Sequence, residues 1–357
     1  MPALRIAHIS DLHVLELQGT HWTRFLNKRM TGIANLSSVR KDAHPTDIAE
    51  CLADRLAQPD IDHVIITGDV TNLALDSEFS KALQVVQRIG PPSRVTMIPG
   101  NHDMYTRGAL RNHRFEKWFS PYLVDDADLH HTAVHNGRLH YPFVRTPAAH
   151  VRLYGLSSAI PTPPLLAYGH VGQRQLAKLR ELIEQEPAEV TVRIVLVHHN
   201  LHHRLGLAEH VASLADRKRF ARTMRELHIS AVLHGHTHEP HQGHLPAGGA
   251  GSVAEKPALT LRSKHGRPEA DRTAVVEGRA LDAEQMVIGL DIPVLGCGSS
   301  TWRKNGDDRA RFNILTIGAD RLEGVQSLRF DSATRQFTLE HTDLLEKSMH
   351  SGHAIRL

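Results

Sequence analysis

Five short apolar runs punctuate the first two thirds of the chain, each bounded by turn chemistry and each ending in Asp, Asn or His. Leu4 to Ile9 leads into Ser10-Asp11-Leu12-His13. His63 to Thr67 leads into Gly68-Asp69, and Arg94 to Ile98 into Pro99-Gly100-Asn101-His102-Asp103. Val192 to Val197 leads into His198-His199, and Ala231 to Leu233 into His234-Gly235-His236-Thr237-His238. Runs of this length and β-branched content predict buried strands. Between them, apolar residues at helical spacing predict helices over Thr46 to Gln58, Asp76 to Ile89, Gln173 to Glu186 and Arg217 to Leu227. Strand–helix alternation predicts an α/β sheet, and ligands of such sheets gather beyond the strand C-termini. All five polar clusters are therefore expected on one sheet edge. Farther on, Ile292 to Leu295, Ala310 to Ile317, Val325 to Phe330 and Gln336 to Glu340 read as strands of a second sheet built largely from hairpins. Residues 1–345 are read as one domain, with a Gly-, Pro- and charge-rich insertion at 246–284 and a tail at 346–357.

Composition alters this picture little. The 357 residues carry a net charge of +3, which does not point to a nucleic-acid partner. The 28 histidines matter only through their placement. Two separated cysteines, Cys51 and Cys297, make no disulfide framework. The first residues lack the basic start and cleavage site of a signal peptide, and no apolar stretch is long enough to span a bilayer. The expectation is a cytoplasmic protein.

The clusters together hold what a dinuclear phosphate-chemistry site requires: carboxylates and neutral imidazoles for borderline divalent ions, one carboxylate placed to bridge, and a proton donor near the leaving oxygen. Asp11 and His13, and again His236 and His238, are two apart, so each pair projects from one turn. Gly68 and Gly100 let the backbone come close to Asp69 and Asn101. His234 reads as a packed core histidine, Cys51 as core, and His130, His131, His202 and His203 as solvated loop residues. His199 reads either as a group behind the ligands or as a substrate contact.

In order and spacing, the five motifs resemble those of the calcineurin-like metallophosphoesterase superfamily. The resemblance implies a four-layer αββα sandwich of two mixed β-sheets flanked by helices. It implies one metal on Asp11, His13, Asp69 and His238, and another on the shared Asp69 with Asn101, His198 and His236. The cofactors would be two divalent metal ions (Mn, Fe or Zn), with a metal-bound hydroxide attacking phosphorus. His102 would protonate the leaving group or stabilise the transition state, and Asp103 would orient His102. A scaffold that had lost catalysis would be marked by missing ligands, and none of the seven is missing.

The serine/threonine phosphatases of that superfamily carry Gly-Asp-x-x-Asp-Arg-Gly, where this chain has Gly68-Asp69-Val70-Thr71-Asn72. The motifs are closer to bacterial class III cyclic-nucleotide and glycerophosphodiester phosphodiesterases, although Asn200-Leu201 stands where those enzymes often have two prolines. A competing substrate clue lies in residues 17–41, which hold five basic residues and no acidic one. There Trp22, Phe25, Leu26, Met30 and Ile33 recur at helical spacing, with Arg24 and Lys28 opposite. Such a helix either caps the body or lies on an anionic membrane surface and meets a lipid phosphate. The second option suggests a lipid-linked substrate of the UDP-diacylglucosamine type, with Arg24 and Lys28 as substrate contacts and peripheral contact through 22–33.

Overall fold

The computed structural model describes residues 3–18, 20, 46–125, 134–135, 138–163, 166–202, 212–245, 292–304 and 307–345. The basic segment that carries Arg24 and Lys28, the insertion 246–284, His130, His131, His203 and the tail 346–357 lie outside the described residues.

In chain order the strands are β1 (Leu4–Ile9), β2 (His63–Ile66), β3 (Val95–Met97), β4 (Val134–His135), β5 (Arg138–Leu139), β6 (Phe143–Ala148), β7 (Val151–Gly155), β8 (Val192–Leu196), β9 (Ala231–His234), β10 (His241–His244), β11 (Pro293–Gly296), β12 (Arg303–Lys304), β13 (Asp307–Asp308), β14 (Arg311–Ile317), β15 (Leu322–Asp331) and β16 (Gln336–Leu344). The main helices are α1 (Thr46–Leu56), α2 (Asp76–Ile89), α3 (Arg107–Arg111), α4 (Arg114–Phe119), α5 (Gln173–Glu184) and α6 (Arg217–Glu226).

Two mixed six-stranded sheets form, in the orders β16-β15-β14-β1-β2-β3 and β10-β11-β9-β8-β7-β6. In the first, β1, β2 and β3 run parallel and β14, β15 and β16 continue antiparallel from β1. In the second, β7, β8, β9 and β11 run parallel, closed by antiparallel β6 and β10.

The period-2 alternation of a strand explains the layering. Along β8, Val192, Ile194 and Leu196 join the core that includes Ile6, Val64 and Ile314 of the first sheet. Val195 and the following Val197 face the other way, against Leu176 and Leu179 of α5 and Phe220 and Met224 of α6. On the far side of the first sheet, α1 presents Ile48, Leu52 and Leu56, and α2 presents Phe79, Ala82, Val86 and Ile89, at helical spacing. Glu78 fixes the start of α2 by accepting from the N–H of the cap residue Leu75 (3.1 Å), and it also accepts from Leu73 N–H (2.8 Å) just before it. The order helix, sheet, sheet, helix is the four-layer sandwich.

Two expectations are corrected. The C-terminal hairpins extend the first sheet; of the four late strands only β11 enters the second, between β9 and β10. The five polar clusters leave two sheets, not one: three end β1, β2 and β3, and two end β8 and β9. Among the described residues no helix is long and apolar enough to cross a membrane.

Candidate metal centre

The two sheets bring their strand-end loops together through backbone hydrogen bonds. The N–H groups of Asp11, His13 and Val14 donate to the carbonyls of Gly68, Asp69 and Val70 at 2.9–3.0 Å, so the β1 and β2 loops run on side by side. Gly235 N–H donates to His198 O (3.1 Å) within the second sheet, and Ser300 N–H to Ser10 O (2.9 Å) between sheets.

Asp11, His13, Asp69, His236 and His238 all sit at positive φ, between 46° and 72°. For residues bearing a Cβ this costs on the order of 1–3 kcal/mol each, and such strain concentrates at functional sites. Here it turns five side chains toward one point.

Close approach also requires glycine. A Cβ on Gly100 would stand 2.1 Å from Asp69 Oδ1, and one on Gly235 would stand 1.9 Å from Ser10 Oγ and 2.6 Å from Asp11 Oδ2. Gly100→Ala is therefore expected to lower stability by about 1–3 kcal/mol and to displace the Asp69 carboxylate. Chemical denaturation together with metal content checks this; wild-type values for both would refute it.

Around Asp69 the donors form two sides. Its Oδ1 accepts the His102 N–H at 2.7 Å. Its Oδ2 lies 3.8 Å from His13 Nε2 and 3.3 Å from His198 Nε2, one on each side. Toward His13, Asp11 Oδ1 is 3.7 Å from His13 Nε2 and 3.4 Å from His238 Nε2, and the two imidazole Nε2 atoms are 2.9 Å apart. Toward His198, Asn101 Oδ1 is 3.1 Å from His198 Nε2 and 2.8 Å from His236 Nδ1. His198 donates its Nδ1–H to Thr67 O at 2.7 Å, which turns Nε2 toward the two oxygens. Asp11 Oδ1 is buried and accepts no hydrogen bond.

Converging lone pairs and a buried carboxylate oxygen without a donor are costly unless a cation draws them together. Asp11, His13 and His238 form one group whose ligand atoms lie within 4.8 Å of one another, Asp69, His198 and His236 form a second, and His13, Asp69 and His102 a third. Mixed imidazole and carboxylate donors suit divalent ions of the borderline class, so the residues fit two metals.

Electrostatics follow from burial. It would raise the carboxyls of Asp11 and Asp69. The neighbouring imidazoles outweigh it, His13 and His238 for Asp11 and chiefly His198 for Asp69, and hold both well below the usual carboxylate range. Burial pushes His13 down to about 4 and His236 to about 3. His198 is the exception: burial lowers it, but the charge and hydrogen bond of Asp69 raise it to about 9.

Away from the donors, burial also lowers His8, His63 and His234 to about 3. Unfolding restores each to about 6.5, so the unfolded chain binds more protons below that pH. Stability from these groups is complete above pH 6.5 and is lost as the pH falls toward 3. Thermal melts from pH 7.5 to 4.5 are expected to show a steep fall in Tm with net proton uptake on unfolding; a flat profile would refute it.

Three sequence expectations change. Asp103 does not hold the His102 ring. Its carboxylate accepts from Thr71 N–H and Oγ1–H (both 2.9 Å) and Gly100 N–H (2.9 Å), tying the β2 and β3 loops together. The ring is fixed by Asn72 instead, whose carbonyl accepts Nδ1–H at 2.6 Å. It stands edge-on to His13 at 4.7 Å and stacks on Tyr105 at 5.4 Å.

His199 is not placed to touch substrate. It is fully buried, donates Nε2–H to Ala167 O (3.0 Å) and accepts from Ser158 Oγ at Nδ1 (2.7 Å). Its ring packs 4.5 Å from that of His236 and supports it. His202 is no solvated loop residue either; it stacks on His241 at 3.8 Å. His234 is buried at the end of β9, and Cys51 packs on the core, as expected.

Ser299 and Thr301, after β11, escaped the sequence reading. Their hydroxyls donate to the carbonyls of Asp11 (2.7 Å) and Leu12 (2.8 Å) and clamp the strained β1 loop from the other sheet. Trp302 stands edge-on to His238 at 5.6 Å. The run Gly296-Cys297-Gly298-Ser299-Ser300-Thr301 after an apolar strand was the available signal.

Comparison with known proteins agrees with this geometry. Residues 4–240 match the family model described as calcineurin-like phosphoesterase. No curated protein matches the chain in sequence. The fold is similar to that of purple acid phosphatase PPD1 from yellow lupin (Lupinus luteus), with 12% identity, TM-score 0.52, and coverage of 96% of this chain and 54% of that one. The chain thus spans about half the length of the lupin protein. It is also similar to PhoD, with 9% identity, TM-score 0.50, and coverage of 97% and 73%.

Proposed function

Because the chain belongs to the calcineurin-like phosphoesterase family, we propose that it hydrolyses a phosphodiester at a dinuclear metal centre. In this reading Asp11, His13, Asp69 and His238 hold one divalent ion, and Asp69, Asn101, His198 and His236 the other. The observation that carries it is the Asp69 carboxylate. One oxygen is tied to the His102 N–H, and the other lies between His13 and His198. When bound, the ions supply Lewis acidity to the phosphoryl oxygens and lower the pKa of water.

The remaining work falls to the chain. The β1 and β2 loops, locked by Ser299, Thr301 and Asp103, hold the donors at strained φ so that little reorganisation is needed. His102, with Nδ1–H committed to Asn72 O, presents Nε2 as the nitrogen that exchanges a proton, and its protonated form donates to the departing alkoxide. Asn72-Leu73 in place of the protein-phosphatase Asp-Arg supports a small diester over a phosphoprotein.

A lipid-linked diphosphate is a second reading. It rests on the basic amphipathic segment 22–33 with Arg24 and Lys28, inserted directly after the first motif. Both readings meet in one experiment: turnover of metal-defined protein on a cyclic nucleotide, a glycerophosphodiester, a phosphomonoester and a UDP-linked lipid. A diester is expected to exceed the monoester by at least tenfold in kcat/KM. Monoester turnover equal to or above that of every diester would overturn the diester assignment. Selective hydrolysis of the UDP-linked lipid, with liposome co-sedimentation lost on Arg24→Ala/Lys28→Ala, would favour the second reading.

A further inference from the structure

Three histidines outside the dinuclear centre meet at one place. His234 ends β9 and His241 begins β10, and β11 runs between them. The registers His234↔Gly296 and Gly296↔His241 put both histidines beside the same glycine, on the same face of the sheet. Gly296 has no side chain to fill the gap. A Cβ there would stand 2.9 Å from His234 Nε2 and 3.0 Å from the Cβ of His241. Over this gap comes His202, four residues beyond His198. Its ring centroid lies 3.8 Å from that of His241 and 5.6 Å from that of His234, and the His234–His241 separation is 6.0 Å.

A second observation points to a ligand. His234 is fully buried and donates Nδ1–H to Gly235 O at 3.0 Å. That bond fixes the tautomer, so Nε2 carries the lone pair, and Nε2 has no hydrogen-bond partner. A backbone carbonyl on one ring nitrogen and a buried, donorless lone pair on the other is the usual setting of a metal-bound histidine. Three imidazoles around one ion, with metal–nitrogen distances of about 2 Å, have centroids roughly 5 Å apart; the two separations from His234 are 5.6 and 6.0 Å, and the stacked pair at 3.8 Å is the one that must open.

We propose that His202, His234 and His241 form a third metal site that takes a single divalent ion of the zinc class. The stacked His202 and His241 rings turn apart to bind, and the fourth position is left to solvent. An ion there pins the loop that carries His198 to the strand whose end carries His236 and His238, so it acts as a clamp behind the dinuclear centre. Asn200 already braces this loop by donating to His202 O at 3.1 Å.

Zn(II) alone is the probe. Full-length Asp69→Ala protein, Asp69→Ala/His241→Ala and Asp69→Ala/His202→Ala are loaded at neutral pH, dialysed and analysed for zinc per chain. Each double variant is expected to hold one equivalent fewer than its parent. That difference is independent of how many ions the dinuclear centre keeps, so failure here and failure of the proposed function remain distinguishable. Equal zinc in the parent and either double variant would overturn the site. His241 is half-buried on an edge strand and His202 is on a loop, so if one variant misfolds by circular dichroism the other decides. Anomalous scattering at the zinc edge beside His234 Nε2 in crystals of the Asp69→Ala protein is also expected; a crystal with ordered zinc elsewhere and none there would refute the proposal.

Discussion

Replacing Asp69 with alanine is expected to release both ions of the proposed dinuclear centre and to lower kcat/KM by at least about 10³-fold. Removing a bridge should affect two sites at once, whereas removing a terminal donor such as His238 or Asn101 should weaken mainly one. Because Asp69 Oδ1 also holds the His102 N–H at 2.7 Å, alanine frees that loop as well. Asp69→Asn separates the effects: it keeps an acceptor for the loop and removes the charge between His13 and His198. Metal per chain, measured in a His241→Ala background so that the three-imidazole cluster does not contribute, should fall in both variants. Retention of two tightly held ions in Asp69→Ala would remove the bridging assignment.

His102→Ala should behave in the opposite way. Metal content is expected to stay at the wild-type level while kcat falls by roughly 10²–10⁴-fold, the usual worth of a positioned acid. The loss should be larger for alkyl than for nitrophenyl leaving groups, since a good leaving group needs no proton. The alkaline limb of the kcat profile, which reports deprotonation of that acid, should flatten. Equal losses for both ester classes would assign His102 to transition-state binding alone. Lost metal would make it a ligand, an outcome the His13, Asp69 and His102 grouping makes worth measuring. Asp103→Asn provides a contrast: its carboxylate ties loop backbone, so stability rather than leaving-group dependence should respond.

The donor set was legible because each piece is local. A buried strand followed by Asp-x-His, Gly-Asp or Gly-His-x-His needs no distant residue to be read. Glycine at 100 and 235 was meaningful for the same reason, since backbone contact with a carboxylate leaves no room for a Cβ. Other features carried no local mark. Strand β6 was missed because the buried Arg145, which donates to Val124 O at 2.8 Å, interrupts its apolar run. The role of Asp103 was misplaced because a side chain next to a ligand in sequence can point away from it, here to Thr71 and Gly100; of the two roles open to His199, its bonds to Ser158 and Ala167 select the one behind the ligands.

From the sequence alone came the family, the seven candidate donors, the helices and the strands that carry them, since all of these depend on short-range pattern and chemistry. Tertiary structure alone decided that the strands divide between two sheets. It also decided that Ser299 and Thr301 lock the Asp11 loop from nearly three hundred residues away, and that His202, His234 and His241 meet over Gly296. Hydrophobic burial is non-directional, and a strand with apolar residues on both faces states that it is covered, not by what. Its partners are chosen only when the whole chain packs.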